Sequence, residues 1–257
     1  MGARIDRTLV LLATGVTLVV NGLANTAGIN GVSTGAVANL YDLPFTPAGY
    51  VFSIWGLIYL ALVAFSVWQF TAEGRNSDRA VPVRSIYVFS AAANVTWLWF
   101  WHHEALAVSL VVMLLLLGSL LIIYRHLSAG PPESLREAWC LDLPFRLYLG
   151  WITVATLANL SVVVTTAGWL PFAVDPSRWT LLMLAAIAAI GLLVFTRQRD
   201  PVFLSVISWA AVGIALKGGQ APLVSAPAMV VAGLTGLGVV GLLLGAARNS
   251  ARQSTTR

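Results

Sequence analysis

Charge is scarce in this 257-residue sequence: Asp, Glu, Lys and Arg make up 10% of it, against roughly 25% in an ordinary soluble domain. A single cysteine, Cys140, excludes an internal disulfide framework and a cysteine-built metal centre. Histidine is nearly as rare, and two of the three, His102 and His103, are adjacent and followed by Glu104. Neighbouring side chains on a helix diverge by about 100°, so this trio reads as an interfacial cluster rather than a metal site. No Asp, Glu, Lys or Arg falls in the middle of any apolar run. That counts against a proton relay or ion pathway, and it removes the paired carboxylates of acid–base catalysis. Glycine-rich phosphate loops, nucleophile elbows and HExxH patterns are also missing. An enzyme is therefore not the expectation, and no metal and no required cofactor are expected.

What the chain does have is length of apolar sequence. It is 58% hydrophobic with a mean hydropathy of +0.84, and apolar runs alternate with short charged loops throughout. The fold class this implies is all-α: a polytopic transmembrane helical bundle with about eight spans, near 8–26, 47–70, 84–101, 104–125, 144–166, 179–196, 200–217 and 222–246. The seventh is the shortest, with only Pro201 to Leu216 between Asp200 and Lys217. Basic residues sort by side. If the amino terminus is cytoplasmic, all 15 are on the inner side, from Arg4 and Arg7 to Arg252 and Arg257, except Arg178 and Lys217. This bias places both termini in the cytoplasm. The net charge of +5 forms no basic stripe with interleaved aromatics, so the lipid bilayer is the expected partner and nucleic acid is not. The first span also has the layout of a secretory signal, with Arg4 and Arg7 before an apolar run and Gly22-Leu23-Ala24 after it. Thr14, Thr17, Asn21 and Asn25, however, recur at helical spacing as a polar stripe suited to a bundle.

Residues 43–70 organise the rest. Pro44 and Pro47 punctuate the lead-in, and the uncharged stretch from Pro47 to Phe70 would reach about 36 Å as a helix. Within it Phe52, Trp55 and Tyr59 share a helical face, with Tyr50 just ahead of them. The third span repeats the device with Asn94, Trp97 and Trp101, and the fifth with Tyr148, Trp151, Ala155 and Asn159. One such stripe alone reads as helix–helix packing. Three on separate spans read as the wall of a cavity with ring faces and a few polar anchors, which suits a small, flat, largely apolar ligand. The candidate ligand-binding residues are thus Tyr50, Phe52, Trp55, Tyr59, Asn94, Trp97, Trp101, Tyr148, Trp151 and Asn159, with no catalytic residue among them. Ahead of these lies a glycine-bearing outer loop at 27–46, long enough to act as a lid or to serve as a plain connector.

These segments resemble the TspO/MBR family of tryptophan-rich sensory proteins and mitochondrial translocator proteins, formerly the peripheral benzodiazepine receptor. Pro44-Phe45-Thr46-Pro47 with Tyr50, Phe52, Trp55 and Tyr59 is similar to the family's loop-to-second-helix signature. Asn94-Val95-Thr96-Trp97 with Phe100 resembles its third helix, and Tyr148-x-x-Trp151 with Ala155 and Asn159 its fifth. Ala48 and Tyr50 depart from the usual proline and tryptophan, and Phe52 to Trp55 is one residue shorter than usual. The resemblance implies a five-helix core over 1–166, its pocket covered by loop 27–46; the spans that follow depart from the family's pattern and read as a three-helix extension over 167–257 with a short cytoplasmic tail. It implies an integral membrane sensor, in a prokaryotic inner membrane, that binds a tetrapyrrole such as protoporphyrin IX or haem, or a sterol or isoprenoid. A light-dependent porphyrin-modifying enzyme and a facilitative transporter of small apolar metabolites are the alternatives. Family members commonly form homodimers; three added spans covering the partner surface would favour a monomer.

Overall fold

The computed structural model describes residues 2–169 and 175–255. Arg257 of the basic tail lies outside them. Eight long helices carry the described chain: α1 (Gly2–Leu23), α2 (Ile54–Trp68), α3 (Ala80–His102), α4 (Leu106–Leu127), α5 (Leu143–Thr166), α6 (Pro176–Arg197), α7 (Pro201–Ala215) and α8 (Pro222–Thr255). Each expected span finds its helix. Six stretches are long and apolar enough to cross a membrane by length and composition. The α7 segment, of 15 residues, is shorter, and α3 is interrupted by polar side chains. Two starts follow a shared local rule. Asp175-Pro176 and Asp200-Pro201 each place a capping carboxylate ahead of a proline at the first helical position. The Asp200 carboxylate accepts from the amides of Val202 and Phe203 at 3.0 and 3.1 Å.

Helices α1, α2, α5, α4 and α3 close into a ring, each touching the next, while α6, α7 and α8 pack on one another and, through α6 and α7, on α5. Burial follows this order. The apolar stretch containing α5 is 72% buried, whereas that of α8, at the edge, is 22% buried. Within the ring the polar stripe of α1 is turned inward. Thr14 Oγ1 lies 2.6 Å from both the Ser66 and Tyr87 hydroxyls, and Asn21 Nδ2 donates to Asn94 Oδ1 at 2.8 Å. Such bonds join α1 to α2 and α3 where lipid offers no substitute partner. Asn25, by contrast, is exposed and bonds back to the carbonyl of Asn21. Below mid-height Phe65, Tyr87 and Phe145 meet edge to face, with centroids 4.9 to 5.8 Å apart, and fill the ring.

One end of the bundle is rich in arginine. There Arg79 grips Asp142 with both terminal nitrogens, at 3.1 and 3.0 Å, and sits 3.3 Å from Glu137. Arg146 bridges Asp142 and Asp200, and the Tyr124 hydroxyl donates to Asp200, so α3, α4, α5 and α7 are cross-linked. The opposite end carries the segment between α1 and α2. It includes a short helix, Thr34–Leu40, called here the roof helix, capped by the Ser33 hydroxyl, which accepts from the Ala36 amide. After Pro47 the chain makes a 3₁₀ turn, Gly49–Ser53, before α2 begins at Ile54. The Gly241 and Gly245 pair on α8 faces open space, so it mediates no close helix packing here.

Candidate ligand chamber

Beneath the roof helix, four tryptophans from three helices converge. Trp55 of α2 and Trp151 of α5 meet edge to face with centroids 6.2 Å apart, and Phe52 leans on the same Trp151 ring at 5.7 Å. On α3, Trp97 and Trp101 are one turn apart and stack at 6.0 Å. Facing these rings, α5 presents Val154, Ala155, Ala158, Asn159 and Val162, and the small alanines leave room that larger side chains would fill. Thr34 and Ala38 of the roof helix, with Thr46 and Pro47 from the lead-in to α2, close the top. The cavity is about 50 Å³. A buried water needs on the order of 10–15 Å³ by this kind of measure, whereas pockets for drug-sized ligands run about 300–1,000 Å³. The chamber is therefore narrow. Water fits; a flat macrocycle fits only after the roof or the rings move.

Polar groups in this space are few and telling. Asn159 is tied to α4, its Nδ2 donating to Ser109 Oγ at 3.1 Å. Trp101 Nε1 donates to the carbonyl of Thr34 at 3.2 Å, which fastens the roof helix to α3. Trp97 and Trp151 are 5% and 2% exposed, yet the indole N–H of each has no hydrogen-bond partner. Leaving such a donor buried and unmade costs about 1–3 kcal/mol. Among the described residues, no Asp, Glu, Lys, Arg or His lines the chamber.

The roof is pinned at its core side by a histidine. His102 Nδ1 lies 3.0 Å from the carbonyl of Ile29, and its Nε2 lies 3.0 Å from Thr34 Oγ1. His103 stacks on Trp99, and Glu104 accepts from the Tyr41 hydroxyl at 2.9 Å. Burial, followed by this bond to Glu104, pushes the Tyr41 hydroxyl up to about 12. Among the described residues no group of three or more His, Cys, Asp or Glu is placed to hold a metal ion.

Of the ten residues singled out from the sequence, Phe52, Trp55, Trp97, Trp101, Trp151 and Asn159 line the chamber. Tyr59 and Tyr148 lie under its floor: Tyr59 stacks on Trp55 at 5.3 Å and Tyr148 meets Trp55 edge-on at 5.9 Å. Asn94 Oδ1 accepts from Asn21 Nδ2, and the Tyr59 hydroxyl has no partner. Tyr50 stands outside, 47% exposed, with its ring against Trp209. Thr34, Ala38, Thr46, Pro47, Val154, Ala158 and Val162 complete the lining without having been singled out. Only Val154, Ala158 and Val162 carried a periodic signal, on the Trp151 helix.

Fold and site together define a helical integral membrane protein with a narrow aromatic chamber under a latched roof. A family model described as TSPO-like protein matches residues 7–241, and the chain belongs to that family. Membership places it among membrane sensors and ligand-binding proteins. Neither the curated proteins nor the solved structures contain a significant match to it.

Proposed function

We propose that this protein is a membrane sensor that takes up a flat, largely apolar ligand in the chamber between α2, α3 and α5. The tetrapyrroles protoporphyrin IX and haem are the first candidates, and sterols or isoprenoids the second. The observation that carries this reading is the pair of unpartnered indole donors, Trp97 Nε1 and Trp151 Nε1, on a lining otherwise made of ring faces and small side chains. A ligand that brings a hydrogen-bond acceptor and a flat apolar body would satisfy both features at once. The lining offers no side chain suited to bind haem iron, so recognition would act on the macrocycle rather than on the metal. It also offers no counter-ion, so carboxylates on the ligand would be costly to bury.

The test is a titration of tryptophan fluorescence with protoporphyrin IX in detergent and in liposomes. Saturable quenching is expected. Trp97→Phe and Trp151→Phe keep a ring and remove the donor, and each should weaken binding by about 2- to 12-fold, the worth of one hydrogen bond. The dimethyl ester should bind at least as tightly as the free acid. Non-saturable quenching, or quenching unchanged in the double variant, would overturn the reading.

A further inference from the structure

The roof has two anchors, and the second belongs to the C-terminal helices. Thr46 and Pro47 form part of the chamber's top, and the residues flanking them are all held from α7 and the α7–α8 turn. Lys217 Nζ donates to the carbonyl of Leu43 at 3.1 Å and to Asp42 Oδ1 at 3.2 Å. Gln220 Nε2 donates to the carbonyl of Pro44 at 2.6 Å. The Ala48 amide donates to the carbonyl of Gly213 at 3.0 Å, and Trp209 Nε1 donates to that of Val51 at 3.1 Å. Between these bonds Phe45 is fully buried, among Met183, Leu184, Ile214, Ala215, Val224 and Ala228 of α6, α7 and α8. Beyond its own turn bonds, such as Thr46 N–H to the Leu43 carbonyl and Val51 N–H to the Ala48 carbonyl, the lead-in is held by hydrogen bonds from α7 and the α7–α8 turn.

From this we infer that the C-terminal helices act as a clamp on the chamber, with Lys217, Gln220 and Trp209 as positioning residues that set how readily it opens. None of the three lines the chamber, so their effect reaches it through Thr46 and Pro47. Asp42 is an exposed partner, its side chain 91% accessible, so the ion pair itself adds little. The bonds to the carbonyls of Leu43, Pro44 and Val51 do the holding: Pro44 loses its partner when the lead-in lifts, whereas Leu43 and Val51 keep only their local bonds from the Thr46 and Ile54 amides. In its effect on ligand access the inference rests on the proposed function, but the opening itself is measured without a ligand.

The reporter is Val162→Cys in a Cys140→Ser background. Val162 lines the chamber and is 1% exposed, so its thiol reacts with N-ethylmaleimide only when the chamber opens. Lys217→Met with Gln220→Ala should speed labelling on the order of tenfold, the worth of one to two hydrogen bonds. Lys217→Arg should stay within about twofold of the parent, as should Asp42→Asn, which removes only an exposed ion pair. Trp209→Phe is an independent variant that keeps the ring against Tyr50 and drops the bond to Val51, and it too should speed labelling. A melting measurement on each variant separates opening from unfolding. Unchanged labelling in both folded Lys217→Met/Gln220→Ala and Trp209→Phe overturns the clamp and leaves the porphyrin titration untouched. Faster labelling without porphyrin binding upholds the clamp and rejects the ligand.

Discussion

Nε2 of His102 lies 3.0 Å from the hydroxyl of Thr34, joining the last residue of α3 to the first turn of the roof helix. Its other nitrogen faces the carbonyl of Ile29, which can only accept, so Nδ1 carries the proton and Nε2 accepts from Thr34. Burial, aided by His103 and opposed by the Ile29 carbonyl, holds His102 below its ordinary 6.5. The sign follows. The folded state favours the neutral ring, so the latch is complete above 6.5 and weakens as pH falls from there toward the depressed value. His103, Glu104 and Tyr41 are the other titratable groups around it, and Glu104 is occupied by Tyr41. Labelling of Val162→Cys, normalised to an exposed reference thiol, should therefore rise between pH 7.5 and 5.5. The rise should vanish in His102→Gln; an identical profile in that variant would remove the latch from the account.

Arg79 makes a different kind of prediction, about stability. Its guanidinium sits between Asp142 and Glu137, whose side chains are 5% and 2% exposed. Arg79→Met leaves the buried Glu137 without its cation and Asp142 with Arg146 alone, a loss of about 3 kcal/mol. The melting temperature in detergent should fall by many degrees, while Arg79→Lys, which keeps the charge and loses the two-pronged grip, should recover only part of it. A melting point within a degree or two of the parent would show that the arginine-rich end adds little.

Gly213 and Gly241 form a matched pair of tests. A Cβ on Gly213 would clash with Val51 Cγ2, whereas one on Gly241 would meet nothing. Gly213→Ala should push α7 away from the lead-in, lowering stability by about 1–3 kcal/mol and speeding Val162→Cys labelling. Gly241→Ala should be neutral or slightly stabilising, as alanine is the better helix former. Equal behaviour of the two would contradict the tight seat described for α7.

Much of this architecture was legible in the sequence, for reasons that can be named. Long uncharged runs fix the helices, because a backbone in lipid must satisfy its own hydrogen bonds. The stripes Trp97–Trp101 and Trp151–Asn159 were readable because one period of 3.6 governs which side chains share a face. Depth was not readable: Asn94, Tyr59 and Tyr148 lie on the same faces as the lining tryptophans but under the floor they make. Tyr50 was misleading for another reason. Tyr50 stands two residues before Phe52, so in helical or 3₁₀ geometry alike it points to the other side, here against Trp209. Thr46 comes from irregular chain, and Thr34 opens a helix of only seven residues, too short for a period to announce which residue points inward.

The packing of α6 and α7 on α5 bears on assembly. These helices cover a flank of the five-helix ring, and a partner chain cannot occupy the same surface. A detergent-corrected mass of one 27.4 kDa chain is the expected result. A stable dimer joined through the ring would show that the extension leaves the pairing surface free.

The central claim is that the chamber walled by Trp55, Trp97, Trp101 and Trp151 is where the ligand sits, and protection of Val162→Cys locates it. With protoporphyrin IX at a concentration that saturates the fluorescence change, N-ethylmaleimide labelling of Val162→Cys should slow several-fold. Half-protection should fall at the porphyrin concentration that gives half-quenching. Full quenching with the thiol labelled at its unliganded rate would place the porphyrin elsewhere on the protein and contradict the account.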